Sequence, residues 1–148
     1  MNRCVIRGYN PVTGKRYGKG IISFEKVIGE IAMIYSKGAE GQGVVMETAV
    51  EEGLTGYLNE NEFRQIAHNL ISNSIKSVIP GIEGRIRISG RESGNKALIE
   101  FQDNGKGMSR EELTRAMEPF YTKSINGIGI GLAIVKKLVE QNGGLMEM

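Results

Sequence analysis

The sequence predicts an α+β domain, a two-layer α/β sandwich whose mixed, mostly antiparallel sheet carries its helices on one face. Three observations predict it. Residues 60–78 place Phe63, Ile66, Ala67, Leu70, Ile71, Ile75 and Val78 at helical spacing. Residues 84–90 and 96–103, "GRIRISG" and "KALIEFQD", alternate with period two around "RESGN", the pattern of an antiparallel hairpin. Helices and antiparallel strands come in mixed order along the chain, which suits one sheet covered by helices.

Composition narrows the classes. The 148 residues suffice for one domain around one core. A formal net charge of +2 gives no reason to expect nucleic acid or an acidic membrane as partner. The single cysteine, Cys4, excludes an internal disulfide and suits a reducing compartment, and the single histidine, His68, excludes a multi-histidine metal site. The N-terminus "MNRCVIRGYN" has no apolar core of signal-peptide length, and no run anywhere reaches transmembrane length. The expected location is the cytoplasm, with any membrane anchor belonging to a parent chain.

Residues 1–20 contain "GYNPVTGKRYGKG" and read as a linker, and residues 21–148 as the domain. Ser23 is the expected N-cap of a first helix, with Phe24, Val27, Ile28, Ile31, Ile34 and Tyr35 on one face. "SKGAEGQG" should end it, "VVMETAV" should be a strand, and "EEGLTG" a loop. The long helix follows from Glu60, stopped by Pro80 and Gly81. After the hairpin, Ser109 and Glu112 have capping-box spacing, with Met108 placed to staple against Leu113. A last helix is expected from about Leu132 to Gln141, closed by Asn142 and Gly143, with a strand beginning at "LMEM".

Three groups of residues carry candidate chemistry. Asp103 shares parity with Ala97, Ile99 and Phe101, so its carboxylate should face the helices, where it needs donors. It either starts a turn on its own loop amides or accepts from a ligand such as the amino group of a base, over an open floor at Gly105 and Gly107. Asn69, Asn73 and Lys76 fall within about 60° of arc on the long helix. They are either a polar helix edge or a site where amide oxygens meet a hard cation and a lysine meets phosphate. The alternating glycines of "GIGIGLAIVKKL" are either a plain turn or a close phosphate approach at a helix start. His68 lies off the asparagine face and is expected to be structural.

Taken together and in order, these segments closely resemble the ATP-binding domain of sensor histidine kinases, of the superfamily that includes DNA gyrase, Hsp90 and MutL. "HNLISNSIK" resembles the N box, "DNGKGM" the G1 box, "EPFYT" the F box and "GIGIGLAIVKKLVEQNGG" the G2 box. The resemblance covers roughly residues 21–148 and implies the Bergerat ATP-binding fold. It implies that Asp103 accepts from the adenine amino group, with Gly105, Gly107 and Met108 shaping the base slot. Asn73 would hold Mg²⁺, with Asn69 near metal and phosphates and Lys76 on a phosphate. Thr122 and Lys123 would belong to the lid, and Gly127, Ile128, Gly129, Ile130, Gly131 and Leu132 to the phosphate-facing end of the G2 box.

The implied function is transfer of the γ-phosphoryl group of Mg-ATP to a histidine on a separate or missing helical hairpin, and then a response regulator as next partner. The alternatives are a non-catalytic nucleotide-binding fragment, or a serine kinase of the same superfamily resembling anti-sigma factor kinases. Asn69 stands where the hydrolysing members carry a glutamate base. Ser77 replaces a commonly aromatic residue, and Lys123 sits one position early in the F box. The family pattern continues past "GG" through two strands. The domain is therefore expected to be incomplete at its C-terminus, with an open sheet edge, and inactive without an acceptor domain.

Overall fold

A computed structural model describes residues 2–7, 18–118 and 128–148. In chain order the elements are β1 (Asn2–Arg7), β2 (Gly20–Ser23), α1 (Phe24–Gly41), β3 (Val44–Val50), β4 (Thr55–Leu58), α2 (Glu60–Lys76), β5 (Gly84–Ser93), β6 (Lys96–Asp103), α3 (Arg110–Ala116), α4 (Ile128–Gln141) and β7 (Leu145–Glu147). The helix starts follow their caps. Ser23 Oγ accepts from Lys26 N, Asn59 Oδ1 from Glu62 N, and Ser109 Oγ from Glu112 N. Helix α1 runs through the expected breaker to Gly41, because Ala39 is buried there, and the chain turns at Gly43 with φ 73°.

The main sheet has the order β3-β5-β6-β1-β7, with β3 and β5 parallel and the other pairs antiparallel. A two-stranded sheet, β2-β4, lies apart from it. Helices α1, α2 and α4 cover one face of the main sheet. Phe24, Ile28, Phe63, Ile66, Ile71 and Val135 meet Ile6, Ile88, Ile99 and Phe101 in one core. Phe24 and Phe63 pack edge to face at 5.2 Å between ring centroids, joining the starts of α1 and α2. The other face is charged, with Arg3–Glu100 and Arg87–Glu47 ion pairs that contribute little to stability. The architecture is the α+β sandwich that the sequence predicts.

Strand β1 corrects the linker assigned to residues 1–20. Residues 2–7 pair with β6 over their whole length and with β7 on the other side. Cys4 and Ile6 face the helices opposite Phe101 and Ile99, so a one-residue slip would turn both toward the charged face. The position beside β6 is taken by β1, and β7 lies at the sheet edge beyond it. The described strands β2 and β4 also replace an expected linker end and an expected loop. Both are four residues long, too short for a period to register.

Burial pushes the Cys4 thiol up to about 12 from its ordinary 9.0. The unfolded chain then loses this proton first as pH rises, so the contribution to stability is full below pH 9.0 and declines toward about 12. At neutral pH we expect Cys4 to resist a maleimide in the native chain and to label fully in denaturant. Equal labelling rates in the two states would show that β1 is not held in the sheet.

Candidate functional site

Asp103 ends β6 where strand, helix and loop converge. Its Oδ1 accepts from Asn2 Nδ2 at 2.9 Å and from the Gly105 amide at 2.9 Å, and its Oδ2 accepts from Ser74 Oγ at 2.7 Å. A carboxylate offers about four acceptor positions, so these donors leave one open on Oδ2. The loop-turn reading and the ligand reading are thus compatible: the Gly105 bond makes the turn, and the open position can take a further donor. Ser74 was legible as a polar residue breaking the apolar stripe between Leu70 and Val78. Asn2 was legible only if residues 2–7 are taken as a strand.

The glycines after Asp103 are required by close approach. A Cβ at Gly105 would lie 2.6 Å from the Ser77 carbonyl oxygen and 2.3 Å from its Oγ. Gly107 has φ +66°, and a Cβ there would lie 2.2 Å from Asn2 Oδ1. Lys106 N donates to the Ser77 carbonyl at 2.9 Å, which fastens the loop to the end of α2. Ser77, conspicuous in the sequence for lacking an aromatic ring, is the residue against which this loop closes. Met108 packs against the core from the loop's far end.

Asn69 and Asn73 face α4. A Cβ at Gly131 would be 3.4 Å from Asn73 Nδ2 and 3.8 Å from Asn69 Cβ, so this glycine lets α4 approach both asparagines. Asn73 Nδ2 is buried with no hydrogen-bond partner among the described residues. Buried amides are nearly always paired, so this orphan donor calls for an acceptor from beyond the described residues. Helix α4 starts at Ile128, earlier than the expected Leu132, which puts Gly129, Ile130 and Gly131 inside its first turns. Leu132 is 2 % exposed and its side chain belongs to the core.

The remaining candidates divide clearly. Lys76 is exposed at the rim of a groove between α1 and α2, shared with His68 and Ser72. His68 Nδ1 bonds the Tyr35 hydroxyl, in keeping with a structural role. Thr122, Lys123 and Gly127 lie outside the described residues. The far end of α4 is tied back to α2: Asn142 Oδ1 accepts from Asn59 N at 2.9 Å, and its Nδ2 donates to Glu62.

A carboxylate with one free acceptor, a glycine floor, and an orphaned amide under a glycine-rich helix start suit a site for a base and a charged tail. The family model described as "Histidine kinase-, DNA gyrase B-, and HSP90-like ATPase" matches residues 58–148, more than half of the chain. The chain belongs to this family. It is 30% identical over 128 residues to Sporulation kinase B of Bacillus subtilis, covering 86% of this chain and 30% of that protein. It is 34% identical over 110 residues to Nitrogen regulation protein NtrY of Azorhizobium caulinodans, covering 71% of this chain and 14% of that protein. The chain thus spans less than a third of the length of these relatives. In fold it is similar to the catalytic domain of histidine kinase ThkA, with a TM-score of 0.75 at 21% identity, covering 84% of this chain and 81% of that one.

Two glycine variants test the packing. Gly105→Ala should lower stability by about 1–3 kcal/mol, because its nearest neighbours include backbone of Ser77 that cannot swing away. Gly131→Ala meets only ordinary contact and should be neutral or raise stability by about 0.5–1 kcal/mol. Urea unfolding of both variants checks this. Equal losses would contradict the loop packing described here.

Proposed function

We propose that this chain is the ATP-binding catalytic domain of a two-component sensor kinase, which binds Mg-ATP and transfers its γ-phosphoryl group to a histidine. The observation that carries the reading is the Asp103 carboxylate, oriented by its donors and left with one acceptor position. The 6-amino group of adenine supplies the matching donor, whereas the 6-oxo group of guanine would face that oxygen as a second acceptor. The membership in an ATPase family and the likeness to sensor kinases support the same reading. ThkA has been solved with the response regulator TrrA, and a response regulator is the corresponding partner proposed for the parent of this chain.

The tail of the nucleotide would run toward Asn69 and Asn73. Carboxamide oxygens are suitable ligands for a hard cation, and the unpartnered Asn73 Nδ2 is a donor that suits a phosphate oxygen beside it. Asn73 would hold Mg²⁺, with Asn69 beside it, and the ion supplies charge neutralisation of the phosphates when bound. Amides in the first turn of α4 would add donors for the phosphates, along with the helix dipole. Lys76 and the lid residues Thr122 and Lys123 are proposed phosphate contacts on the resemblance alone. A carboxamide cannot serve as a general base, so Asn69 disfavours activation of water. Transfer then breaks the bond from the γ-phosphorus to its bridging oxygen, forms a phosphorus–nitrogen bond to the acceptor imidazole, and releases ADP. His68 sits within α2 and bonds Tyr35, so the acceptor is proposed to come from another segment or chain, such as a helical hairpin.

Asp103→Asn should lower ATP affinity about 10- to 100-fold, the loss expected for a hydrogen bond to a charged group. The smaller change is preferred to Asp103→Ala, which would strand three donors and lower stability as well. Calorimetric titration of the folded variant checks the affinity, and unchanged binding would exclude base recognition by Asp103. Asn73→Ala should remove most of the Mg²⁺-dependent part of ATP affinity while leaving Mg²⁺-free binding nearly unchanged. Radiolabelled ATP should give acid-labile phosphate on an added histidine hairpin, with little hydrolysis by the chain alone. Brisk multiple turnover would overturn the reading of Asn69, and acid-stable label would favour the serine-kinase alternative.

A further inference from the structure

Asn2 is not part of any motif in the sequence, yet its carboxamide bridges the base-reading loop. Nδ2 donates to Asp103 Oδ1 at 2.9 Å and to the Gly105 carbonyl at 2.9 Å, spanning the turn between them. Its Oδ1 occupies the space that a side chain at position 107 would need. The backbone register puts Asn2 directly opposite Asp103, and pairing of Cys4 with Phe101 and Ile6 with Ile99 fixes that register through the core. Both hydrogens of the Asn2 amide are thereby used to hold one oxygen of Asp103 and the carbonyl two residues on. The other oxygen, Oδ2, is the one left with an open acceptor position.

We propose that Asn2 is a positioning residue for adenine recognition: the N-terminal strand β1 carries it to Asp103, where it sets the carboxylate so that Oδ2 faces the base amino group. The inference rests on the reading of Asp103 as the base acceptor. It adds that nucleotide selectivity is set in part from the opposite end of the chain, 101 residues away in sequence. Asn2 touches Asp103 and acts through it. Without it, Asp103 Oδ1 keeps the Gly105 amide and Oδ2 keeps Ser74, so the carboxylate stays in place but gains freedom to rotate. The fold is held independently by the rest of β1, whose Cys4, Val5 and Ile6 are buried.

The test is calorimetric titration of ATP and of GTP against the full chain and two variants. Asn2→Ala removes the carboxamide, and Asn2→Asp keeps its shape while replacing the donor with a second carboxylate. The wild type should prefer ATP. In Asn2→Ala we expect that preference to fall about 10-fold, equivalent to about 1.4 kcal/mol, through weaker ATP binding with GTP binding nearly unchanged. Asn2→Asp should lose at least as much. Should Asn2→Ala fail to show a native melting transition, the isosteric variant gives the same reading. A purely structural Asn2 would lower both affinities together or neither, and an unchanged ATP-to-GTP ratio in a folded variant overturns the proposal. A wild type that binds both nucleotides equally would overturn the base-recognition reading itself, which keeps the two failures distinct.

Discussion

A partly buried carboxylate at the end of a strand has to be met by donors, and the way Asp103 is met organises this molecule. One donor comes from the loop that follows it, one from α2 and one from β1. Each bond fixes the position of a different element against the end of β6. Hydrogen bonds to charged acceptors are stronger than neutral ones, and leaving such an acceptor or its donors unpaired is costly. Conflict at this point would strain the sheet, the covering helix and the loop together. Agreement yields a carboxylate that is anchored on one side and open on the other.

The same constraint explains the glycines around it. Loop residues 104–107 must return over the end of α2 within van der Waals reach of Ser77 and Asn2. Any Cβ at Gly105 or Gly107 would push the loop off both and pull the Gly105 amide from Asp103. On the α4 side the requirement is milder. Gly131 allows a close approach to Asn69 and Asn73 without forbidding a methyl group. Gly105 and Gly107 therefore serve packing of the loop after Asp103, while Gly131 leaves room over an unpaired amide, a difference that the similar glycine spacing in the sequence does not reveal.

Much of the architecture was legible because it rests on local signals. The caps at Ser23 and Ser109, the period of α2 and the alternation of β5 and β6 all act over a few residues. The hairpin differs only in its turn, which tightens to Gly94 and Asn95 as β5 extends to Ser93 within "RESGN". The early start of α4 escaped because glycine lowers helix propensity, and packing against α2 outweighs that preference. The asparagine and glycine groups of the site were legible as an ordered set of motifs. Asn2 was not. Its segment is followed by a run of turn formers that reads as a linker, and its partners are far away in sequence. Strand pairing across such separation is decided by the whole sheet, in this case by the slot between β6 and β7.

With Asp103 as the proposed base acceptor, nucleotide binding and the seating of β1 are linked through that carboxylate. A ligand that binds the seated form better must stabilise it in proportion to that preference. Backbone hydrogen exchange of the full chain, with and without saturating ADP, measures this directly. ADP is expected to slow exchange at the amides of residues 3–7 and at Gly105, together with those along α4. Unchanged exchange in β1 and at Gly105 while α4 becomes protected would contradict it, because the nucleotide would then be held by its phosphates alone.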